Sequence, residues 1–299
     1  MVEFITTPYA LEDIQKLKEA GSTTVVVGTP FFSVRSVCQF PVDMLTSIKE
    51  ECVKHGVKMY VLVNRFFVEE EIEALRKHLQ LLKELDVDGI YFGDECVLYE
   101  ADLLGIKDKL IYNPDTLITN HGDVQYYLDD GIQMVTISKE ITLSEICTIA
   151  QKVNGNCEVL IHGRLNMLHS KRNLLTNYMS FLEREDKVHD NMHLYIMEEK
   201  RDEKMPIVED ETGTHIFSGF TLASFEELQD MVNAGIRHFR MDGIFHNIDY
   251  VLEALKLYKE VFDGKRKGHE TFVEYQKQYE DDNVTHGFYY TKTSKVKEG

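Results

Sequence analysis

The chain of 299 residues has few features of linkers, membrane spans or exported proteins. It contains five prolines and no low-complexity tract, which argues against long linkers and disorder. No run of 18 or more apolar residues is present, so the sequence predicts no membrane-spanning helix. The first residues, MVEFITTPYALEDIQKL, lack the basic and apolar regions of a secretory signal. We therefore expect a cytoplasmic protein.

Cysteine is scarce and scattered along the chain. The five cysteines are Cys38, Cys52, Cys96, Cys147 and Cys157, and no two of them form a CxxC pair. An odd, dispersed set predicts free thiols rather than disulfides or a structural zinc site. Cys96 follows a predicted strand and is a candidate nucleophile, although a buried, inert cysteine is the more common case.

Basic residues are in the minority, with 33 lysines and arginines against 51 acidic residues and a net charge of −18. Such a charge repels the phosphates of nucleic acids unless basic side chains cluster locally. We therefore expect no tight binding of RNA by the chain alone.

Common catalytic and metal-binding motifs are also missing. The sequence has no HExxH, no P-loop and no GxSxG elbow, and His162 and His169 are too far apart in the sequence for an HExxH-type pair. The acidic residues Glu198, Glu199, Asp202, Glu203, Glu209, Asp210 and Glu211 are a candidate site for a divalent cation. A solvated charged face is the favoured interpretation, so we predict no metal site.

What the chain does contain is a repeated alternation of short apolar runs and amphipathic helical patterns. The predicted strands are residues 4–7, 23–27, 58–63, 89–92, 110–112, 134–137, 159–161 and 238–241. Eight such units with parallel strands and right-handed crossovers predict an α/β fold, a (β/α)8 TIM-type barrel. The alternative is an open doubly wound sheet, which expects a Gly-rich turn where residues 6–9 read TTPY.

Two segments interrupt the alternation. We assign residues 1–263 to the barrel, with a Met-rich, polar insertion at 164–218 after the seventh strand. The insertion predicts hairpin strands at 193–197, 205–208 and 215–217. Residues 264–299 form an extension, and their alternating aromatic, threonine and lysine content predicts a small C-terminal β extension packed on the barrel.

The segment 157–178, CEVLIHGRLNMLHSKRNLLTNY, is the richest in candidate functional side chains because a buried strand is followed at once by basic and amide groups. Catalytic groups of a barrel lie at the C-terminal ends of its strands. The residues at these predicted ends are Thr7, Gly28, Asn64, Asp94, Asn113, Ser138, His162 and Asp242. We expect Asn64 and Asn113 to bind substrate and Asp242 to belong to the catalytic set.

His162 is the leading candidate for a general acid or base, because imidazole titrates near neutrality. Glu158 lies four residues earlier, and positions four apart on a strand share a face. The two side chains are thus predicted to point the same way. Facing the barrel interior, Glu158 would orient the imidazole, whereas facing the helices the pair would be structural.

Arg164, Lys171 and Arg172 form the candidate anion site, since guanidinium groups bind both oxygens of a carboxylate or phosphate. A single charge on a loop is usually only solvated. Three basic side chains lie close together here in an acidic chain, so a binding role and a solvated surface loop both remain open.

Six segments, in order, resemble motifs of peptidase family U32, the collagenase-like peptidase family. FSVR (32–35) resembles FSLRA, KMYVLVNRFFVEEEIEAL (58–75) resembles KVYVTVN with its acidic helix, and ISKEITLSEI (137–146) resembles ARELSLEEI. Residues 157–178 resemble the signature EVFVHGALCVAYSGRCLLS, MPIVEDETGTHIFSG (205–219) resembles YPVEEDEHGTYIMNS, and AGIRHFRMDG (234–243) resembles AGVDSLKIEG. The resemblance covers most of the chain and implies a (β/α)8-type fold.

The departures concern the iron–sulfur cluster that family members commonly hold with four cysteines. Asn166 and Asn173 stand at the two signature positions, and no cysteine follows Cys157. Lys171 replaces the glycine of SGRC, and Ile244 replaces the arginine after KIEG. The chain therefore resembles a short member without the iron–sulfur cysteines, and we expect no such cofactor.

The resemblance implies two kinds of activity. Some members are peptidases, which are hydrolases, and others are needed for oxygen-independent hydroxylation of ubiquinone precursors, 23S ribosomal RNA or the wobble uridine of transfer RNA. The short type resembles the smaller of two paired members in Gram-positive bacteria, which works beside a longer U32-family homologue in forming 5-hydroxyuridine. This implies tRNA contacted through the partner and prephenate as a co-substrate, with Arg240, Arg164, Lys171 and Arg172 near its carboxylates.

Three hypotheses follow. An RNA-modification subunit is favoured over a peptidase, because this sequence contains neither the nucleophile motif nor the metal motif that a peptidase would need. A non-catalytic scaffold, in which the lost cysteines reflect lost chemistry, is the third. Both a homo-oligomer and a hetero-oligomer are compatible with the sequence.

Overall fold

The computed structural model describes residues 2–200 and 203–292. It begins with β1 (Glu3–Thr6), α1 (Asp13–Ala20), β2 (Thr24–Val27), α2 (Leu45–His55), β3 (Lys58–Val63), α3 (Ile72–Glu84), β4 (Gly89–Phe92), α4 (Glu95–Leu103), β5 (Leu110–Tyr112), α5 (His121–Asp129), β6 (Met134–Thr136) and α6 (Leu143–Lys152). There follow β7 (Cys157–Ser170), α7 (Leu174–Phe181), β8 (Tyr195–Ile196), β9 (Met205–Asp210), β10 (Gly213–Ala223), α8 (Leu228–Ala234), β11 (His238–Met241), α9 (Ile248–Phe262), α10 (Gly268–Gln278) and β12 (Val284–Thr285).

Eight parallel strands close into a barrel. Strands β1 to β7 pair in sequence order, and β11 pairs with both β7 and β1. Because β11 is hydrogen-bonded on both sides, the parallel sheet has no free edge. This closure confirms the predicted (β/α)8 barrel and excludes the open doubly wound sheet.

Two apolar layers hold the barrel together. The interior is filled by side chains from the inward face of the strands: Ile5, Val26, Tyr60, Leu62, Tyr91, Ile111 and Met134. The outer layer lies between the strands and the helices, where α3 presents Leu75, Leu79 and Leu82 at helical spacing and buries all three. None of the helices in residues 2–200 and 203–292 combines the length and the apolar character that a membrane crossing requires.

The insertion after the seventh barrel strand is built on an extension of that strand. The second half of β7 leaves the barrel and pairs antiparallel with β10, as far as Ser170 opposite Thr214. Strand β9 pairs with β10, and the short β8 pairs with β9. The hairpin predicted in the insertion therefore exists, and it rises from the end of the barrel at which the strands terminate.

The C-terminal extension differs from the predicted β structure. Its main element is the helix α10, which contacts α9, and only β12 joins a sheet, parallel to β10. The apolar side chains Phe272 and Tyr275 of α10 are buried against the barrel layer, which explains why this segment is helical. Residues 293–299 of the predicted β segment lie outside the described residues.

An irregularity in β7 lies where this strand leaves the barrel. Leu160 pairs with Arg240 of β11, but the next paired residues are His162 and Met241, so β7 carries one extra residue. Gly163 follows with φ of 120°, a conformation that L side chains rarely adopt. This bulge reverses the inward and outward alternation of β7 at His162.

We predict that Gly163→Ala destabilises the fold by about 3 kcal/mol, because it adds backbone strain and a steric overlap. A Cβ atom at this position would lie 2.5 Å from the carbonyl oxygen of Asp242. Gly105→Ala is the matched control, since Gly105 also has positive φ but has no atom within 4 Å of the added carbon. We expect the control to cost about 1 kcal/mol in urea denaturation. Equal losses for both variants would show that the close approach in β7 is unimportant.

Candidate functional site

A narrow cleft opens at the ends of the barrel strands. It contains about 590 Å³ of empty space, counted to its opening, of which about 50 Å³ is available to the centres of water molecules. Its lining consists of Arg35, Asn64, Asn113, Asp115, Thr136, Ile137, Lys139, Leu160, Arg164, Asn166, Phe217, Arg240 and Asp242. We call it the barrel-mouth cleft, and its size suits a small polar molecule rather than a polymer.

Asp115 is the centre of an ion cluster on one wall of the cleft. Its carboxylate is 2.6 Å from the Arg35 guanidinium and 3.0 Å from Lys139 Nζ, and Asn166 Nδ2 donates to it at 3.3 Å. Burial alone would raise the pKa of Asp115, but Arg35 and Lys139 outweigh it and hold this pKa well below its usual range. The cluster therefore keeps two cationic side chains at the cleft around one ionised carboxylate.

Arg240 supplies a buried positive charge from the end of β11. Its guanidinium lies over the Tyr91 ring, 4.9 Å from the centroid, and 4.0 Å from Asp242 Oδ2. Below it, Glu158 accepts hydrogen bonds from the Tyr91 hydroxyl and, at 2.8 Å, from the Thr136 hydroxyl. Burial opposes the charge on Arg240, but Tyr91 and Glu158 act against it, and the net effect raises the pKa of Arg240. The arginine is thus fixed and charged.

Arg164 connects the cleft with the insertion and the C-terminal extension. It donates to the carbonyl oxygen of Ser218 at 2.8 Å and lies 3.8 Å from Asp282 Oδ1. Burial lowers the pKa of Arg164, which Asp282 partly offsets, and an arginine remains charged at neutral pH even so. Both contacts restrict the guanidinium to one orientation at the edge of the cleft.

The cleft is locally cationic in an acidic protein. Four lining side chains are cationic, namely Arg35, Lys139, Arg164 and Arg240, and two are anionic, Asp115 and Asp242, so the lining carries an excess of two positive charges. The whole chain has a net charge of −18. Such a local reversal in a partly enclosed site favours binding of a small anion.

His162 does not reach the cleft. Its Nε2 is 2.9 Å from the Tyr250 hydroxyl and its Nδ1 is 3.3 Å from the Tyr258 hydroxyl, and both tyrosines belong to α9 outside the barrel wall. The imidazole is fully buried, and burial together with His246 lowers its pKa to about 3. A neutral, enclosed imidazole cannot exchange protons with a ligand in the cleft, so the predicted general acid or base role is wrong.

The prediction that Glu158 and His162 share a face is also wrong. Glu158 points into the barrel interior beneath Arg240, whereas His162 points to the helices. The extra residue of β7 lies between them and breaks the alternation on which the prediction rested. Glu158 is completely buried and has no surface in the cleft, so it supports Arg240 rather than a ligand.

The predicted binding residues divide into two groups. Asn64, Asn113, Arg164 and Arg240 line the cleft, as does Asp242 from the predicted catalytic set. Lys171 and Arg172 are exposed at the far end of β7, where Lys171 Nζ donates to the carbonyl oxygen of Phe66. These two are therefore corrected to positions outside the cleft, because β7 is extended and carries them past it.

Arg35, Asp115 and Lys139 line the cleft but are not among the residues predicted from the sequence. Each lies in the loop after a barrel strand, beyond the first polar residue, and only that first residue was predicted to line the site. Lys139 comes directly after Ser138, and Asp115 comes two residues after Asn113. Their charged side chains in the loops after the strands are visible in the sequence, whereas their contacts with one another depend on the fold.

The iron–sulfur cluster implied by the resemblance to family U32 does not fit the side chains at the corresponding positions of this chain. Asn166 stands at a ligand position, but its amide bonds Asp115 and lines the cleft. Asn173 is exposed just before α7, and both asparagines lack the thiolate that such a cluster requires. Within residues 2–200 and 203–292, no group of three histidine, cysteine or acidic side chains is arranged to hold a metal ion.

Within the described part of the chain, two other candidates from the sequence, Cys96 and the acidic stretch, do not contribute to the cleft. Burial raises the pKa of the Cys96 thiol to about 12, helped by Asp94, so this cysteine is not an activated nucleophile. In the acidic stretch, Glu209 is buried and accepts hydrogen bonds from the backbone of α7. Asp202, which belongs to the same predicted cation site, lies outside the described residues.

The structure thus defines a (β/α)8 barrel protein with basic side chains in a cleft at its mouth. The sequence model of peptidase family U32 matches residues 9–298. The chain belongs to peptidase family U32.

Relatives within the family have different names. The tRNA hydroxylation protein P2 of Bacillus subtilis (strain 168) is 32% identical over 267 residues, which cover 87% of this chain and 85% of that protein. The tRNA hydroxylation protein P1 of the same organism is 24% identical, and the match covers 87% of this chain but 64% of that longer protein. A collagenase of Porphyromonas gingivalis is 22% identical over 86% of this chain and 64% of its own length.

A solved structure of a U32 peptidase, Mk0906, has the same fold. The two superpose with a TM-score of 0.52 over 81% of this chain and 92% of that one, at 11% sequence identity. At this identity the likeness concerns the fold alone.

We predict that His162 lowers the free energy of unfolding as the pH falls below about 6.5. In the unfolded chain a histidine binds a proton near pH 6.5, whereas in the fold it does so only near its pKa of about 3. Below pH 6.5 the unfolded state therefore binds more protons, and stability falls as pH falls. The free energy of unfolding should fall by about 1.4 kcal/mol per pH unit more steeply in the parent than in His162→Gln. Parallel pH profiles of the two proteins in urea titrations would contradict this.

Proposed function

We propose that this chain is a subunit in the 5-hydroxylation of the wobble uridine of transfer RNA, working in the cytoplasm with a longer U32-family homologue. The observation that carries the proposal is the cationic barrel-mouth cleft in a chain 32% identical to a tRNA hydroxylation protein. The co-substrate we propose for this cleft is prephenate, a small dicarboxylate.

The charges of the cleft suit such a ligand. The lining has two more cationic than anionic side chains, with Asp282 and Glu158 acting on Arg164 and Arg240 from outside it. Arg240 offers a fixed guanidinium for bidentate contact with a carboxylate. Lys139 supplies a second positive charge and contacts Oδ1 of Asp115, whereas Arg35 contacts Oδ2. The amide side chains of Asn64 and Asn113 add neutral hydrogen-bonding groups that can bind hydroxyl or carbonyl oxygens.

Asp242 is our candidate for moving a proton. It is the one member of the predicted catalytic set that lines the cleft, and its Oδ1 accepts a hydrogen bond from the backbone of Ile244 at 2.9 Å. Its other oxygen faces Arg240 at 4.0 Å. A carboxylate held in this way can accept a proton from a ligand bound to the arginine.

Transfer RNA itself would be held mainly by the partner. The charge of −18 repels phosphates over most of the surface of this chain. A division of tasks follows, in which the partner binds the RNA and this chain binds the small anion.

A peptidase is the second candidate, favoured by the 22% identity to a collagenase. The lining side chains of the barrel-mouth cleft include no serine, cysteine or histidine, and the hydroxyl of Thr136, which does line it, donates its hydrogen bond to the buried Glu158. Nucleophilic peptide hydrolysis uses these residue types, so the cleft supports anion binding better. The peptidase would be favoured if the purified chain cleaved gelatin and the Lys139→Gln variant did not.

We predict that Lys139→Gln lowers 5-hydroxyuridine-derived nucleosides in tRNA by at least about tenfold, because a dicarboxylate loses one charged contact worth about 1.5–3 kcal/mol. Arg35 still pairs with Asp115, so the fold should persist. The measurement is nucleoside mass spectrometry of tRNA from a deletion strain that carries the variant, with calorimetry of prephenate binding to the purified complex.

Lys77→Gln is the matched control, since this lysine is 75% exposed on α3 far from the cleft lining. The control should restore the nucleosides as fully as the parent gene. Unchanged nucleosides in the deletion strain itself would disprove the proposed function. Full activity of Lys139→Gln would instead support the scaffold hypothesis, in which the cleft has no role.

A further inference from the structure

Helix α7 of the insertion turns its apolar face to solvent. Leu174, Tyr178 and Phe181 recur at spacings of four and three residues and lie on one face, with Leu182 directly after them. They are 41%, 55%, 81% and 39% exposed, and no residue of α7 is buried. Helices of globular proteins normally pack such a face against a core. In the described chain only the other side of α7, with Leu175 and Met179, is half-buried.

The exposed face is held in a fixed orientation. The buried carboxylate of Glu209 on β9 accepts hydrogen bonds from the backbone nitrogens of Leu175 at 2.7 Å and Thr176 at 3.2 Å. Thr214 Oγ1 on β10 accepts from the nitrogen of Leu174 at 3.0 Å. A carboxylate at a helix N-terminus satisfies otherwise unpaired N–H groups and is favoured by the helix dipole. The helix is therefore anchored by polar contacts while Leu174, Tyr178 and Phe181 stay exposed.

Apolar exposure is concentrated in this part of the molecule. Half of the large hydrophobic side chains that are exposed among the described residues belong to the insertion: Met167, Leu168, Leu174, Tyr178, Phe181, Leu182, Met192, Tyr195 and Met197. The four at α7 alone leave on the order of 400 Å² of apolar surface in water. This is about half of what one partner contributes to a standard protein interface. The other exposed hydrophobic side chains of the insertion can supply the remaining apolar area of such an interface.

Charges beside α7 indicate the kind of partner. The segment directly after the helix, 183–190, contains four acidic side chains and two basic ones: Glu183, Glu185, Asp186, Asp190, Arg184 and Lys187. Each of these six is exposed. Lys171 and Arg172 are exposed just before α7, so the acidic rim is confined to the C-terminal end of the helix, where it repels RNA phosphates and a second copy of a chain with a net charge of −18. It attracts a protein surface with lysines or arginines around an apolar groove.

We propose that the apolar face of α7, with Tyr178 and Phe181 as its anchors, is the docking surface for a partner protein that has an apolar groove with a basic rim. Resting on the proposed function, this partner is the longer U32-family homologue. Exposed aromatic side chains at the centre of a patch typically supply most of the binding energy of an interface. The acidic rim accelerates association and selects against other partners.

The test is the affinity of this full-length chain for the purified longer homologue, measured by analytical ultracentrifugation and by binding kinetics. Phe181→Ser and Tyr178→Ser should each weaken the complex at least about 30-fold. Tyr99→Ser is the matched control, because Tyr99 is 64% exposed on α4 of the barrel. It should bind like the parent. Glu183→Lys combined with Glu185→Lys should slow association and reduce its dependence on salt.

Four outcomes would overturn the inference. The homologue does not bind at tens of micromolar, or Phe181→Ser binds it like the parent. Alternatively, the chain alone forms a dimer that Phe181→Ser dissociates, or Phe181→Ser leaves the complex intact but abolishes its binding of tRNA. Nucleoside analysis of the deletion strain separates this inference from the proposed function. If the deletion strain loses hydroxyuridine but Phe181→Ser binds the homologue like the parent, only the docking surface is refuted. If binding depends on α7 but tRNA of the deletion strain keeps its hydroxyuridine, only the proposed function is refuted.

Discussion

The pairing of β7 with β11, and the extra residue that β7 carries in it, determine where the functional side chains point. Up to Leu160 the strand follows the regular alternation, with Glu158 inside the barrel. The extra residue turns His162 outward to the tyrosines of α9, and Gly163 at φ of 120° returns the chain so that Arg164 faces the cleft. Without the extra residue, regular alternation would point His162 into the barrel, on the same face as Glu158.

The cleft also depends on sharing one carboxylate between two cations. A buried cation without a partner is strongly unfavourable, and one paired with its own carboxylate is neutralised for any ligand. Asp115 contacts both Arg35 and Lys139, which leaves one positive charge of the three groups uncompensated. Arg240 gains stabilisation from Tyr91 and from Glu158 below the floor, so its upper side stays available. The local charge thus differs in sign from that of the chain because acidic groups are fewer here than basic ones.

The sequence was sufficient for the barrel and for part of the site. Strand ends recur wherever an apolar run meets a polar residue, and this rule alone located Asn64, Asn113 and Asp242 in the cleft. It failed at His162 because a bulge is a property of the pairing between two strands and leaves no mark in the alternation of one. Arg35 and Asp115 are 80 residues apart, so only the closed barrel brings them together. The β prediction for the extension failed because Phe272 and Tyr275 belong to the helix α10, which buries them against the core.

The strands β7 and β10 join the two surfaces that the proposals concern. Arg164 and Asn166 of β7 and Phe217 of β10 line the cleft, while Thr214 of β10 anchors the first turn of α7. The antiparallel pairing between these strands is continuous from Ala223 to Thr214 apart from its bulges, so it fixes the distance between cleft and helix. A partner that docks on α7 would consequently be held at one position relative to the opening of the cleft. Such a fixed geometry is what a reaction needs when one chain binds the small anion and another binds the RNA, because the two reactants must meet without a search.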